Sequence, residues 1–81
     1  MDRLGVVSHI SNSRKLIVRT KAQVKIGMQV YDEGLKTVGR IFDVFGPIKN
    51  PYVSIVSTTN GLESYIGHLL YTLGKEERKR N

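Results

Sequence analysis

Val38-Gly39-Arg40-Ile41-Phe42-Asp43-Val44-Phe45-Gly46-Pro47-Ile48 (VGRIFDVFGPI) is the stretch on which the fold turns. Its β-branched and aromatic residues suit a strand over Val38 to Phe45. A half-buried strand alternates inward and outward residues with a period of two. Arg40 to Ile48 breaks that rule, being apolar at Ile41, Phe42, Val44, Phe45 and Ile48, so neither face alone can hold the apolar set. Two readings remain open. A bulge absorbs the phase error, or the surplus apolar groups meet a partner surface, because a small barrel has one interior and the remainder would face water.

Outward from this stretch, Gly46-Pro47 and Asn50-Pro51 punctuate a short connection to Tyr52. Each proline sets its own φ and biases the residue before it away from helix, which stiffens the loop. A stiff loop loses little conformational entropy on docking, and Tyr52 offers a large contact area with few rotatable bonds. Turn and interface roles coexist here.

Leu4 to Ile10 (LGVVSHI), Leu16 to Thr20 (LIVRT), Tyr52 to Ser57 (YVSIVS) and Leu69 to Leu73 (LLYTL) read as further strands, with Gln29 to Tyr31 as a short sixth. Ser11-Asn12-Ser13, Asp32-Glu33-Gly34, Gly46-Pro47, Asn50-Pro51 and Asn60-Gly61 supply the turns between them. No helical stretch is long enough to cover a sheet face. With Gln29 to Tyr31 counted or not, the expectation is an all-β chain forming a single small barrel of five or six strands, closed or nearly so, since closure removes exposed edges. Asn60 and Glu63 have the spacing of a helix cap and its partner, so Asn60 to Ile66 is either one helical turn or a loop. Residues 1–74 form the barrel domain. Lys75 to Asn81 (KEERKRN) has no apolar anchor and reads as a short charged, disordered tail.

With 81 residues, the chain holds one domain. Such a domain buries only about 60% of the surface its unfolded chain exposes, so a partner adds usefully to its stability. Cysteine is absent, which excludes disulfides and thiolate zinc sites and makes the cytoplasm the expected location. No apolar run is long enough for a membrane span, and Met1-Asp2-Arg3-Leu4 shows no signal-peptide pattern. The formal charge of +6 favours polyanionic company. However, the basic residues occur singly or in pairs, as at Arg14-Lys15, Lys36, Arg40 and Lys49, and read as solvated surface more readily than as an RNA groove.

Catalysis finds little footing. His9 and His68 have no second ligand type at metal spacing. Asp43, inside the apolar run, is the one acidic residue whose burial would invite a catalytic role. It lacks a second carboxylate or histidine nearby, and accepting N–H bonds from the Gly46-Pro47 turn would satisfy it. The eight glycines form no phosphate-binding loop. No catalytic residue, cofactor, metal or small-molecule substrate is expected. Phe42 and Phe45 suggest a base-stacking platform only superficially, because the sequence pattern of an RRM is missing.

The run Val38 to Val53 (VGRIFDVFGPIKNPYV) resembles the signature of the Gar subunit of archaeal H/ACA ribonucleoproteins: valine-glycine, a hydrophobic position, Asp-Val-Phe-Gly-Pro and a later Pro-Tyr-Val, without a gap. Arg3-Leu4-Gly5, Leu16 to Thr20, Tyr65-Ile66-Gly67 and Leu70-Tyr71 extend the likeness along nearly the whole chain. The resemblance implies a single small six-stranded barrel similar to those of translation factors and some reductases. It also implies a non-catalytic subunit that docks on the catalytic domain of a pseudouridine synthase, within a complex whose guide RNA selects the target uridine. Such a subunit touches the guide RNA little or not at all and aids substrate loading and product release, in rRNA modification and ribosome biogenesis. On this reading the docking residues centre on Val44, Phe45, Gly46, Pro47, Ile48, Pro51 and Tyr52, with Ile41 and Tyr71 divided between core and contact. The glycine-arginine flanks of eukaryotic relatives are missing, as are the long flanks of the related Naf assembly factor, so the Gar reading is preferred.

The competing reading is a free-standing RNA-binding barrel of the OB or cold-shock type, motivated by the basic charge and by Phe42, Phe45 and Tyr52.

Overall fold

The computed structural model describes residues 2–57 and 61–73. Six strands, β1 (Asp2–Ile10), β2 (Leu16–Arg19), β3 (Gln29–Tyr31), β4 (Thr37–Phe45), β5 (Tyr52–Ser57) and β6 (Leu69–Thr72), close into a barrel in the order β1-β2-β5-β4-β3-β6. Every neighbouring pair is antiparallel. The all-β barrel expected from the strand spacing is therefore the fold observed, with the six strands that the family resemblance implies and strand ends shifted by only a residue or two. No helix among the described residues is long and apolar enough to cross a membrane.

The interior is built in rows. Val7, Val18, Val53 and Val44 face one another across β1, β2, β5 and β4, and Leu16, Ile55 and Ile41 form the next row across β2, β5 and β4. These side chains belong to, or in the case of Val44 pack against, one core cluster that also takes in Leu4, Val30, Val38, Leu62 and Leu70. Burying each branched aliphatic contributes about 1.5–3 kcal/mol, which is how strands as short as three or four residues hold a shared shape.

Closing so short a sheet needs sharp bends, and irregular pairing supplies them. The register shifts within β1 against both neighbours, within β3 against β4, and between Ile41 and Asp43 of β4. Extra residues of this kind increase local twist and coil a strand. Gly39 sits where β4 crosses closest to β5, and a Cβ there would collide with the carbonyl oxygen of Val56. Only glycine permits that approach.

The helical turn read at Asn60 to Ile66 is a 3-10 helix confined to Leu62–Tyr65. Gly61, in left-handed conformation, precedes it with no side-chain cap, and Asn60 lies outside the described residues. Glu63 meets Arg14 (Nη1 to Oε2, 3.4 Å), tying the helix to the β1–β2 turn. The tail Lys75 to Asn81 likewise lies outside the described residues.

Candidate protein-docking face

Phe45 and Tyr52 are the last paired residues of β4 and β5 before the connecting loop. Their rings stack at 5.7 Å between centroids and 22° between planes. Gly46 then turns the chain with φ of +93°, a value that favours glycine. A Cβ at this position would lie 3.1 Å from Cδ2 of Tyr52, so glycine also leaves room for the ring. The far end of the loop is pinned by the N–H of Thr20, which donates to the carbonyl of Pro51 at 3.0 Å. Thr20 is buried, and its Oγ1 accepts the N–H of Ala22 at 2.9 Å. Pinned at both ends and carrying two prolines, the loop presents Ile48 at 97% exposure.

Of the seven residues expected to dock, Phe45, Gly46, Pro47 and Ile48 are exposed, while Pro51 and Tyr52 are half-buried beside them. Val44 is separated from this group: it opposes Val53 and packs against the core cluster. The phase conflict in β4 is resolved by a bulge at Phe42, since Ile41 opposes Ile55 and Asp43 already opposes Ser54. Ile41 and Val44 thus both turn inward, and Phe42 (54% exposed) and Phe45 (45%) both stay outside. The bulge and the surplus apolar surface coexist.

Asp43 does not point inward. It is exposed, and its Oδ1 accepts the N–H of the adjacent Val44 at 2.9 Å, so the expected bonds from the Gly46-Pro47 turn are replaced by a purely local one. The same bulge causes this, by placing Asp43 on the outer face opposite Ser54.

The structure places three further residues beside those expected to dock. The Nζ of Lys15 lies 4.5 Å from the centre of the Phe42 ring, and the guanidinium of Arg19 lies 5.3 Å from the centre of the Tyr52 ring. Phe42, Lys15 and Arg19 thereby extend the aromatic surface across the outer side of β4, β5 and β2. The signal available was the period-two spacing of Lys15, Ile17 and Arg19, which puts all three on one face of a strand. Ile17, opposite Ser54, is buried without belonging to the core cluster.

A second concavity of about 390 Å³ is lined by Asp32, Glu33, Gly34, Ser64, Tyr65, His68 and Leu69. The Asp32 carboxylate is already committed. Asp32 accepts the N–H groups of Lys36 (3.0 Å) and Gly34 (2.9 Å) and the hydroxyl of Tyr65 (3.3 Å). The Lys36 N–H above all holds the Asp32 carboxyl below its usual value, while burial, then the nearby Asp32 charge, raises the Tyr65 phenol. The arrangement locks the β3–β4 turn to the 3-10 helix. His9 is exposed and its Nδ1 lies 2.7 Å from Ser8 Oγ. Among the described residues, no group of three or more His, Cys, Asp or Glu side chains is arranged to hold a metal.

The family model described as the Gar1/Naf1 RNA binding region matches residues 1–77. An uncharacterized protein of Methanothermobacter thermautotrophicus is 34% identical over 98% of this chain and 90% of its own length. An uncharacterized protein of Methanocaldococcus jannaschii is 38% identical over 59% of this chain and 58% of its own. A family match that spans the whole described barrel, with an archaeal relative aligned almost end to end, shows that the chain belongs to the Gar1/Naf1 family of non-catalytic RNA-binding accessory proteins associated with H/ACA ribonucleoproteins.

Proposed function

We propose that this chain is a Gar-type subunit that docks on the catalytic domain of the pseudouridine synthase of a guide-RNA pseudouridylation complex in the cytoplasm. There it aids substrate loading and product release during rRNA modification and ribosome biogenesis. The observation that carries the reading is the β4–β5 connection: an almost fully exposed Ile48 on a loop pinned at both ends, beside the Phe45–Tyr52 stack. An exposed aliphatic on a mobile loop is unremarkable. On a preorganised loop, next to large rings, it has the makings of an interface anchor, because little entropy is lost when the partner covers it.

The test is titration of the chain into the purified synthase by isothermal calorimetry. Binding at micromolar concentration or tighter is expected, with Ile48→Ala and Tyr52→Ala each weakening it by about 2 kcal/mol or more and Lys36→Ala leaving it nearly unchanged. Absence of binding at that concentration overturns the reading.

A further inference from the structure

Among the described residues, Lys15 and Arg19 have no carboxylate partner. The ion pair among the described residues is Arg14 with Glu63, and both of its members lie elsewhere. Asp43 is the one acidic residue on β2, β4 and β5, and it spends an oxygen on its own neighbour's N–H. The outer face of these three strands therefore carries Lys15, Arg19 and Arg40 against a single acid, arranged around Phe42, Tyr52 and Phe45. The Lys15 ammonium also donates to Ser13 Oγ at 3.3 Å.

The disposition of the rings decides what such a face can take. Base stacking needs an open π-face. Phe42 has the Lys15 ammonium over one face, and Tyr52 is flanked by the Arg19 guanidinium from β2 and the Phe45 ring from β4. Beside the occupied faces stand the ring edges, which carry the positive side of the aromatic quadrupole, the N–H groups of the two cations, and the exposed aliphatic Ile48. Positive edges and cations around apolar groups fit carboxylates interspersed with aliphatic side chains.

We infer that the outer face of β2, β5 and β4 seats an acidic, apolar polypeptide segment of the docking partner, with Lys15 and Arg19 clamping its carboxylates. This rests on the docking reading above and extends its surface from the β4–β5 loop onto β2. The cations act mainly on encounter and register, because charges near solvent steer association more than they hold it.

The experiment measures binding of the full chain to the synthase by stopped-flow and calorimetry at low and high salt. Lys15→Ala/Arg19→Ala weakens binding about tenfold at low salt, mostly through a slower association rate, and the deficit shrinks at high salt as the charges are screened. Ile48→Ala weakens it at both. The charge-matched control Arg3→Ala/Lys36→Ala, outside β2, β4, β5 and the β4–β5 loop, has a clearly smaller effect, and thermal melts show that each variant is folded. If the control matches the Lys15/Arg19 variant, net charge alone is at work and the clamp is overturned. If the Lys15/Arg19 variant binds like the parent while Ile48→Ala fails, the clamp is likewise overturned and docking stands. If the parent chain does not bind, the docking reading itself falls. A labelled single-stranded RNA oligonucleotide forms the last arm: loss of RNA binding on Lys15→Ala/Arg19→Ala, with synthase binding unchanged, would assign the face to nucleic acid and overturn the proposal.

Discussion

Phe45 on β4 and Tyr52 on β5 stack directly across the ladder at its last paired position, so the two rings that flank the loop are also the end of the sheet that holds it. The geometry of the loop and the integrity of the barrel end are thereby coupled, and substitutions in one register in the other.

Gly46 is the point of that coupling. Gly46→Ala forces a side chain into φ of +93° and brings its Cβ to 3.1 Å from the Tyr52 ring. The expected cost is about 1–2 kcal/mol of stability, read by urea denaturation, together with weaker binding to the synthase. Unchanged stability and affinity would show that the stack does not depend on this turn.

Gly39 tests barrel closure. A methyl at this position collides with the Val56 carbonyl, backbone that cannot swing aside, whereas one at Gly34 meets only Asp32 Oδ1 at an ordinary 3.5 Å. Gly39→Ala is expected to cost about 3 kcal/mol or to prevent folding, on the scale of other severe steric changes. Gly34→Ala should stay within about 0.5 kcal/mol, as surface substitutions usually do. Circular dichroism melts of both variants decide it.

Leu35 adopts φ of +68° in the β3–β4 turn while 62% exposed, a left-handed conformation that a branched side chain enters at a cost. Leu35→Gly should raise stability by about 0.5–1 kcal/mol, or several degrees in melting temperature for a domain of this size. A lower melting temperature would mean that the leucine makes contacts outweighing the strain.

Asp32 links stability to pH. Its folded pKa is depressed, chiefly by the Lys36 N–H, so its contribution is present above the unfolded value near 3.8 and is lost as pH falls through the folded value. Asp32→Ala should therefore melt below the parent at neutral pH, with the gap closing in acid. A gap independent of pH would locate the effect in packing instead of in the charged hydrogen bonds.

Removal of this chain from an assembled complex should slow multiple turnover far more than a single-turnover burst. A subunit that supplies no acid, base or nucleophile changes rate only by binding the enzyme's conformations differently, and opening or product release often limits turnover. A bias of about 1.4 kcal/mol shifts two states tenfold. Equal losses in both regimes would point to direct support of the active-site geometry.

The elements that the sequence determined by itself are those governed by neighbours in the chain. Alternation in β5, with Val53 and Ile55 inward and Tyr52 and Val56 outward, follows from the period of a strand and was legible without a partner strand. So were the turns at Asp32-Glu33-Gly34 and Gly46-Pro47, because turn chemistry acts over four residues. A barrel of five or six strands followed from those strands and turns together, and the Gly-Pro and Pro-Tyr spacing pointed to the family, whose likeness implies six.

Tertiary structure alone decided the rest. In β4, the run from Ile41 to Phe45 is compatible with more than one phase, and the bulge at Phe42 is selected by β5, whose Val53 and Ile55 require both Val44 and Ile41 to turn inward. That choice carried Asp43 out to the surface and turned Val44 toward the core, away from exposed Phe45, Pro47 and Ile48. Arg19 met Tyr52 and Lys15 met Phe42 because barrel closure sets β2 beside β5 and β5 beside β4, bringing together residues more than twenty positions apart. Local periodicity says which side of its own strand a residue occupies. Which strand lies alongside is settled only when the whole chain buries its apolar rows at once, since that shared burial is what stabilises one strand order and one register over the others.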